Sequence, residues 1–210
     1  MVVKRNKRPL AVVLDFDDTV VDFLGSICTL HNKINNTSIT QNDITNWDLE
    51  SEEIVVEDAR GNVATGEEVL KTFREFEEHG LYASLSPLPE AGHALNIMNK
   101  LGYKIIVLTA RKARFDKQTT LNILKYNLPI DEVIYDNNKM LKVKKLLKQY
   151  NVKAFADDKA STVVEISESC NIPNIYLVNK AHNTTLEIDE DINRINSIFE
   201  IVRDLKEIKS

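Results

Sequence analysis

The chain has 210 residues, 43% of them hydrophobic, enough for a sizeable core in one domain with an insertion or one domain beside a smaller one. Its 27 basic and 32 acidic residues leave a net charge of −5, which disfavours broad binding to nucleic acid or to an anionic membrane. Cys28 and Cys170 lie far apart, so no disulfide framework is expected and a reducing compartment fits. No apolar run reaches the roughly 18 residues of a spanning helix. The basic start, MVVKRNKRP, leads into no apolar stretch free of acids, so no signal peptide is expected and the expected location is the cytoplasm.

The first predicted element carries the chemistry. Five apolar residues, Leu10 to Leu14, run straight into Asp15, Asp17 and Asp18. Such a run reads as a strand buried on both faces, and the acids emerge at its carboxyl end, where open α/β sheets place ligands. D-x-D alone describes a solvated turn equally well; the partners downstream decide between the readings. Residues 19–34 have helical spacing at Val20, Phe23, Leu24, Ile27 and Leu30. A polar stretch follows, in which Thr40 and Asp43 have the spacing of a helix N-terminus, and then Trp47, the single tryptophan. Arg60-Gly61-Asn62 reads as a turn, and residues 67–79 are amphipathic through Val69, Leu70, Phe73 and Phe76, with Gly80 as a cap. Residues 25–85 hold small helices and no strong strand, and read as a helical cap inserted in a sheet domain made of 1–24 and 86–210.

From Pro89 the pattern is regular. Helices are expected at 90–101, 115–126, 139–150 and 161–170, and strands at 104–108, 131–135, 152–156 and 174–178. A long final helix is expected over 188–208, apolar at Ile192, Ile195, Phe199, Val202 and Leu205. Strands alternating with helices imply a parallel sheet with right-handed crossovers. The second strand ends at Thr109-Ala110-Arg111 and the fourth at Asp157-Asp158, so these groups share one sheet edge with Asp15 and Asp17. Two unit charges 4 Å apart repel by about 4 kcal/mol at an effective dielectric near 20. Four clustered carboxylates therefore need raised pKa values or a divalent cation, and oxygen-only ligands select Mg²⁺ first.

LDFDDT, VLTAR, a following lysine and FADD resemble, in that order, the motifs of the haloacid dehalogenase superfamily, specifically its aspartate-nucleophile phosphatases. The resemblance spans roughly residues 10–180. It implies a sheet of strand order 5-4-1-2-3 with a cap inserted after the first motif. It implies Asp15 as the nucleophile that becomes an aspartyl phosphate, and Asp17 as general acid and then base. Thr109 and the Ala110 amide would hold phosphate oxygens. Asp15, the Asp17 carbonyl and Asp158 would hold Mg²⁺, with Asp157 in support. The family lysine has four candidates, Lys139, Lys142, Lys144 and Lys145; the helical phase favours Lys139, then Lys142.

DITNWDL, VVDF and SPLPEAGHALNIMNKLGYKIIVLTAR look like the cytosolic 5′-nucleotidase and deoxyribonucleotidase branch, which implies nucleoside or deoxynucleoside 5′-monophosphate substrates. Thr-Ala-Arg departs from the Thr-Ser-Pro of that branch's animal members and is similar to the phosphatase domain of polynucleotide kinase–phosphatases, which act on 3′-phosphate ends. The net charge of −5 speaks against a long nucleic-acid substrate. Arg111, Trp47 and Phe23 are candidate substrate contacts, weighed against an ordinary surface arginine and two core aromatics. A second class of reading is a phospho-accepting signalling module without turnover. Receiver domains also gather acids, a Thr and a Lys at one sheet edge, but they lack a cap and a second Asp in the role of Asp17. The expected partner is a small phosphomonoester, with no membrane and no long nucleic acid; the sequence leaves the oligomeric state open.

Overall fold

The computed structural model describes residues 7–46, 55–58 and 60–208. Its elements are β1 (Leu10–Leu14), α1 (Phe23–Asn35), β2 (Val55–Glu57), β3 (Val63–Thr65), α2 (Gly66–Glu78), α3 (Ala91–Lys100), β4 (Lys104–Thr109), α4 (Asp116–Lys125), β5 (Glu132–Tyr135), α5 (Lys139–Gln149), β6 (Asn151–Asp157), α6 (Ala160–Ser169), β7 (Asn174–Val178), β8 (Ile192–Ile195) and α7 (Ile201–Glu207), with a 3₁₀ turn at Leu81–Ser84.

Six strands form a parallel sheet in the order β5-β4-β1-β6-β7-β8. Numbering the five expected strands along the chain and reading back from β7 gives 5-4-1-2-3, the implied order, with β8 added outside β7. The period of two sorts side chains into two cores. Val12 and Leu14 of β1, Ile105 and Val107 of β4 and Tyr176 and Val178 of β7 pack on one face, with α3 and α7. Ala11 and Val13, Ile106 and Leu108, and Ile175 and Leu177 pack on the other, with Val143 and Leu146 of α5 and Val163 and Ile166 of α6. Burial on both faces explains why these strands read as continuous apolar runs.

The expected helix over 188–208 is corrected: β8 and the short α7 replace it. Ile192 and Ile195 lie three apart, which suits one helical face, but in a strand that spacing sends them to opposite sides. Ile192 joins one core and Ile195 the other, so each closes the end of a layer at the sheet edge. α1 begins later than its spacing implies. Residues 18–22 form a tight loop in which Asp18 adopts φ 55° and its buried carboxylate accepts from the backbone N–H groups of Phe23 and Leu24 at 3.0–3.2 Å.

The segment expected as a helical cap also holds two strands. β2 and β3 form a two-stranded antiparallel ribbon around the expected turn, where Gly61 takes φ 79°. Three residues per strand are too few for alternation to show in sequence. The buried Asp58 carboxylate fastens this ribbon, accepting from the backbone N–H of Ser38, Arg60 and Asn62 and from the Ser38 hydroxyl at 2.8–2.9 Å. Thr40 and Asp43 do bond to each other, Thr40 N and Oγ1 both donating to Asp43 Oδ2, but only a turn follows and no helix among the described residues. α2 starts on a reciprocal cap, with Glu68 N donating to Thr65 Oγ1 and Thr65 N to Glu68 Oε2, and ends before Gly80 at φ 64°. Trp47 lies outside the described residues.

The apolar residues of this segment, among them Ile27, Ile39, Val69 and Phe76, are continuous with one core of the sheet, as is Phe23 at the start of α1. The segment's two ends are joined. Asp22 N donates to Ser86 O and Leu88 N to Val20 O, both at 2.9 Å, around an antiparallel bridge between Val21 and Pro87.

His31 ties α1 to α2. It is buried, with Nδ1 3.0 Å from Thr72 Oγ1. Burial lowers its pKa below 6.5, Glu68 opposing. The native state then binds fewer protons than the unfolded chain below pH 6.5, so stability is expected to fall as pH drops through and below that value. Thermal unfolding of wild type and His31→Gln across pH 5–8 checks this: the variant should lose part of the acid-side slope, and identical slopes would exclude His31 as its source.

Candidate active site

Because the sheet is parallel, the carboxyl ends of β1, β4 and β6 meet at one edge. Asp15 follows β1, and its N–H continues the ladder by donating to Ala156 O at 2.8 Å. Thr109 ends β4, Asp157 ends β6 and Asp158 follows it. Asn138 caps α5, accepting from Leu141 N at 3.0 Å, which puts Lys139 in the first turn against the sheet edge.

Lys139 Nζ donates to Asp15 Oδ1 at 2.5 Å and to Asp157 Oδ2 at 2.7 Å, all three groups being buried. Burial pulls the ammonium's pKa down, but Asp15 and Asp157 outweigh it, and it ends above its usual value. Asp15 is held well above the usual carboxylate range, first by burial and then by repulsion from Asp157, Asp158 and Asp17, with Lys139 pulling the other way. Burial raises Asp157 as well, again against Lys139. One ammonium thus does not satisfy the acids around it.

Carboxylate oxygens of Asp15, Asp157 and Asp158 all lie within 4.8 Å of one another. Asp157 has both oxygens engaged, Oδ2 by Lys139 and Oδ1 by Lys159 N at 2.9 Å. Asp158 Oδ2 is buried; His182 Nε2 lies 3.2 Å away, yet the oxygen accepts no well-directed hydrogen bond. The Asp158 carbonyl accepts from Asn183 Nδ2 at 2.7 Å, so the turn after β7 holds the strand end from outside.

Asp17 lies farther out. Arg111 Nε donates to its Oδ2 at 2.8 Å and Nη2 to its Oδ1 at 2.6 Å. Thr109 Oγ1 accepts from Arg111 N at 3.1 Å, which leaves the hydroxyl proton to donate into the cavity.

These groups floor a cavity of about 400 Å³. Asp15, Asp17, Thr109, Ala110, Arg111, Lys139, Asp157 and Asp158 all border it, as does Phe23 at the start of α1. Lys142 does not: it pairs with Asp136 at 3.2 Å, on the outer side of α5. The sequence reading missed Phe73 and Tyr82, which complete the aromatic wall. Phe23 meets Phe73 edge-on at 5.1 Å and stacks on Tyr82 at 5.9 Å. The signal existed, since Phe73 sits on the apolar face of α2; nothing in sequence told that this face borders a cavity as well as a core. Also unforeseen is Glu77 at the rim, bonded to Lys112 at 2.8 Å and Arg114 at 3.0 Å.

The fold has known counterparts. A haloacid dehalogenase-like hydrolase from Burkholderia xenovorans LB400 superposes with a TM-score of 0.63 at 16% identity, over 97% of this chain and 99% of that one. The L-2-haloacid dehalogenase from Xanthobacter autotrophicus gives 0.62 at 14%, over 93% and 98%. A phosphonoacetaldehyde hydrolase-like protein from Oleispira antarctica gives 0.57 at 12%, over 99% and 97%. No curated protein sequence matches. The sheet order thus matches the haloacid dehalogenase-like fold of these structures. Residues 8–202 match the family described as 5′ nucleotidase, deoxy (pyrimidine), cytosolic type C protein, and the chain belongs to that family. It is an enzyme of the phosphatase and nucleotidase kind. Among the described residues, no helix is long and apolar enough to cross a membrane.

Proposed function

We propose that the protein is a Mg²⁺-dependent phosphomonoesterase that hydrolyses nucleoside or deoxynucleoside 5′-monophosphates in the cytoplasm. The observation that carries this reading is the juxtaposition of Asp15, Asp17, Lys139 and the Asp157–Asp158 pair under an aromatic wall.

The donor set fits a hard divalent cation. Among the described residues, the permanent cations that Asp15, Asp17, Asp157 and Asp158 contact are Lys139 and Arg111, fewer than the acids, with His182 3.2 Å from Asp158. Asp158 Oδ2 is a buried acceptor without a well-directed donor. Asp15, the Asp17 carbonyl and Asp158 would hold the ion. Asp157, already spoken for by Lys139 and Lys159 N, supports from behind. The ion would supply charge neutralisation for the transferring phosphoryl group.

In this mechanism Asp15 attacks phosphorus while Asp17 delivers a proton to the leaving oxygen as the P–O bond breaks. Asp17 then takes a proton from water, which attacks the aspartyl phosphate, releases phosphate and restores Asp15. Lys139 holds Asp15 Oδ1, so attack comes from Oδ2. The Thr109 hydroxyl and the Ala110 N–H bind phosphoryl oxygens. The cavity, at the small end of the 300–1,000 Å³ usual for ligand sites, suits one mononucleotide, with Phe73 and the edges of Phe23 and Tyr82 lining the base side.

A panel of phosphomonoesters tests this. Turnover should be fastest on nucleoside 5′-monophosphates, vanish on thorough chelation and return with Mg²⁺. Full activity after chelation would remove the metal from the scheme. A preference for 3′-phosphorylated oligonucleotides over every mononucleotide would replace the substrate assignment with end processing.

A further inference from the structure

Arg111 borders the cavity, yet its guanidinium is committed to this chain. Nε and Nη2 form a two-pronged grip on the Asp17 carboxylate at 2.8 and 2.6 Å. Nη1 donates to Thr119 Oγ1 at 3.0 Å, and that buried hydroxyl in turn donates to Phe115 O at 3.1 Å. The two faces are taken as well: the Phe16 ring centroid lies 4.6 Å from Cζ and the Tyr82 centroid 4.3 Å. The Arg111 side chain is 1% exposed and that of Asp17 is 22% exposed. An arginine that captures a substrate anion presents its fork to the ligand; here the fork is aimed at a carboxylate of the chain itself.

Asp17 needs such a partner. It stands three residues beyond β1, in a loop rather than on a strand, and the neighbouring acids repel it. Left alone, its carboxylate would turn outward to water. We infer that Arg111 is a positioning residue, not a substrate contact: it fixes Asp17 at the leaving oxygen. Because Tyr82 belongs to the insertion, the placement of the proton donor depends on how the insertion is seated. This inference rests on the phosphomonoesterase reading and on Asp17 as its general acid.

The test uses leaving groups. A nucleoside 5′-oxygen is a poor leaving group and needs a placed proton, whereas p-nitrophenolate leaves without one. Arg111→Met should lower kcat on a nucleoside 5′-monophosphate about 10²–10³-fold, within the range general acids contribute. On p-nitrophenyl phosphate the loss in single-turnover release of p-nitrophenolate, the step that needs no proton from Asp17, should stay below about tenfold, and KM should move little on either. Arg111→Lys, which keeps the charge but not the fork, should fall between. In an Asp17→Asn background, Arg111→Met should add nothing further. If Arg111→Met does not fold, Arg111→Lys and Tyr82→Leu carry the same comparison with smaller effects. A raised KM with kcat retained, equal losses in single-turnover release of the leaving group on both substrates, or additive losses in the double variant would overturn the inference while wild-type activity stands. A wild type inactive on every phosphomonoester would overturn the functional reading itself, and this inference with it.

Discussion

Asp15→Asn is expected to abolish turnover in a protein that remains as stable as wild type. The activity side follows from covalent catalysis: an amide cannot attack phosphorus, so the route through the aspartyl phosphate closes. The loss should at least match the roughly 10²–10⁴-fold expected when Asp17→Asn removes proton transfer. The stability side follows from electrostatics. Burial and three neighbouring acids hold Asp15 above its ordinary range, so the charged form is the one the fold disfavours. An amide has the same shape, can still accept from Lys139 and relieves the repulsion, and Asp157 remains as the ammonium's ionic partner. Turnover and thermal unfolding measured side by side on Mg²⁺-free and Mg²⁺-loaded protein check both halves. Activity above a tenth of wild type in folded Asp15→Asn would remove Asp15 from the nucleophile's role. In wild type, a beryllium fluoride complex should be retained, and in the variant it should be lost.

Lys139→Met should give the largest stability loss. It strands two buried carboxylates, and breaking a buried ion pair from one side costs about 3–5 kcal/mol. For a chain of this size that corresponds to roughly 6–20 °C in melting temperature. The loss should be greatest in chelated protein above the pH at which Asp15 and Asp157 ionise in the fold. It should shrink toward acid pH, where both hold protons and need no counter-charge, and Mg²⁺ should recover part of it. Lys142→Met provides the contrast. Its partner Asp136 is half in water, so exposure and salt screen the pair, and neither stability nor turnover should change measurably. Equal behaviour of the two variants would mean that Lys139 is not holding the acids.

The strands were legible because both their faces are buried: apolar runs such as Leu10–Leu14 and Asn174–Val178 leave little room for another reading. Two features were not. β2 and β3 are too short to show alternation, and Ile192 and Ile195, three apart, read first as one helical face, so only the open edge of β7 makes them a strand. At the candidate site, the acids, Thr109 and Lys139 are legible because parallel strands must end together. The partners of those groups are set by side-chain reach across long sequence gaps. Asp17 and Arg111 are 94 residues apart, and neither spacing nor composition tells that they grip each other. The same holds for Asn183 behind Asp158 and for Tyr82 over Arg111.

The joined stem at residues 20–22 and 86–88 bears on how such an enzyme can change over generations. Once two backbone bonds pin both ends of an insert at one point, the chain between them can lengthen or shrink at little entropic expense, since each doubling of a loop adds only about 0.6 kcal/mol. Asp15, Thr109 and the Asp157–Asp158 pair stand at strand ends outside that segment, and Asp17 meets it only through Arg111 and Tyr82. Recognition and chemistry can therefore be inherited separately, a new roof arriving by insertion or deletion over an unaltered hearth. The one demand on any newcomer is local: it must return to the stem with a flat ring where Tyr82 now lies, or the arginine beneath loses the face that steadies it.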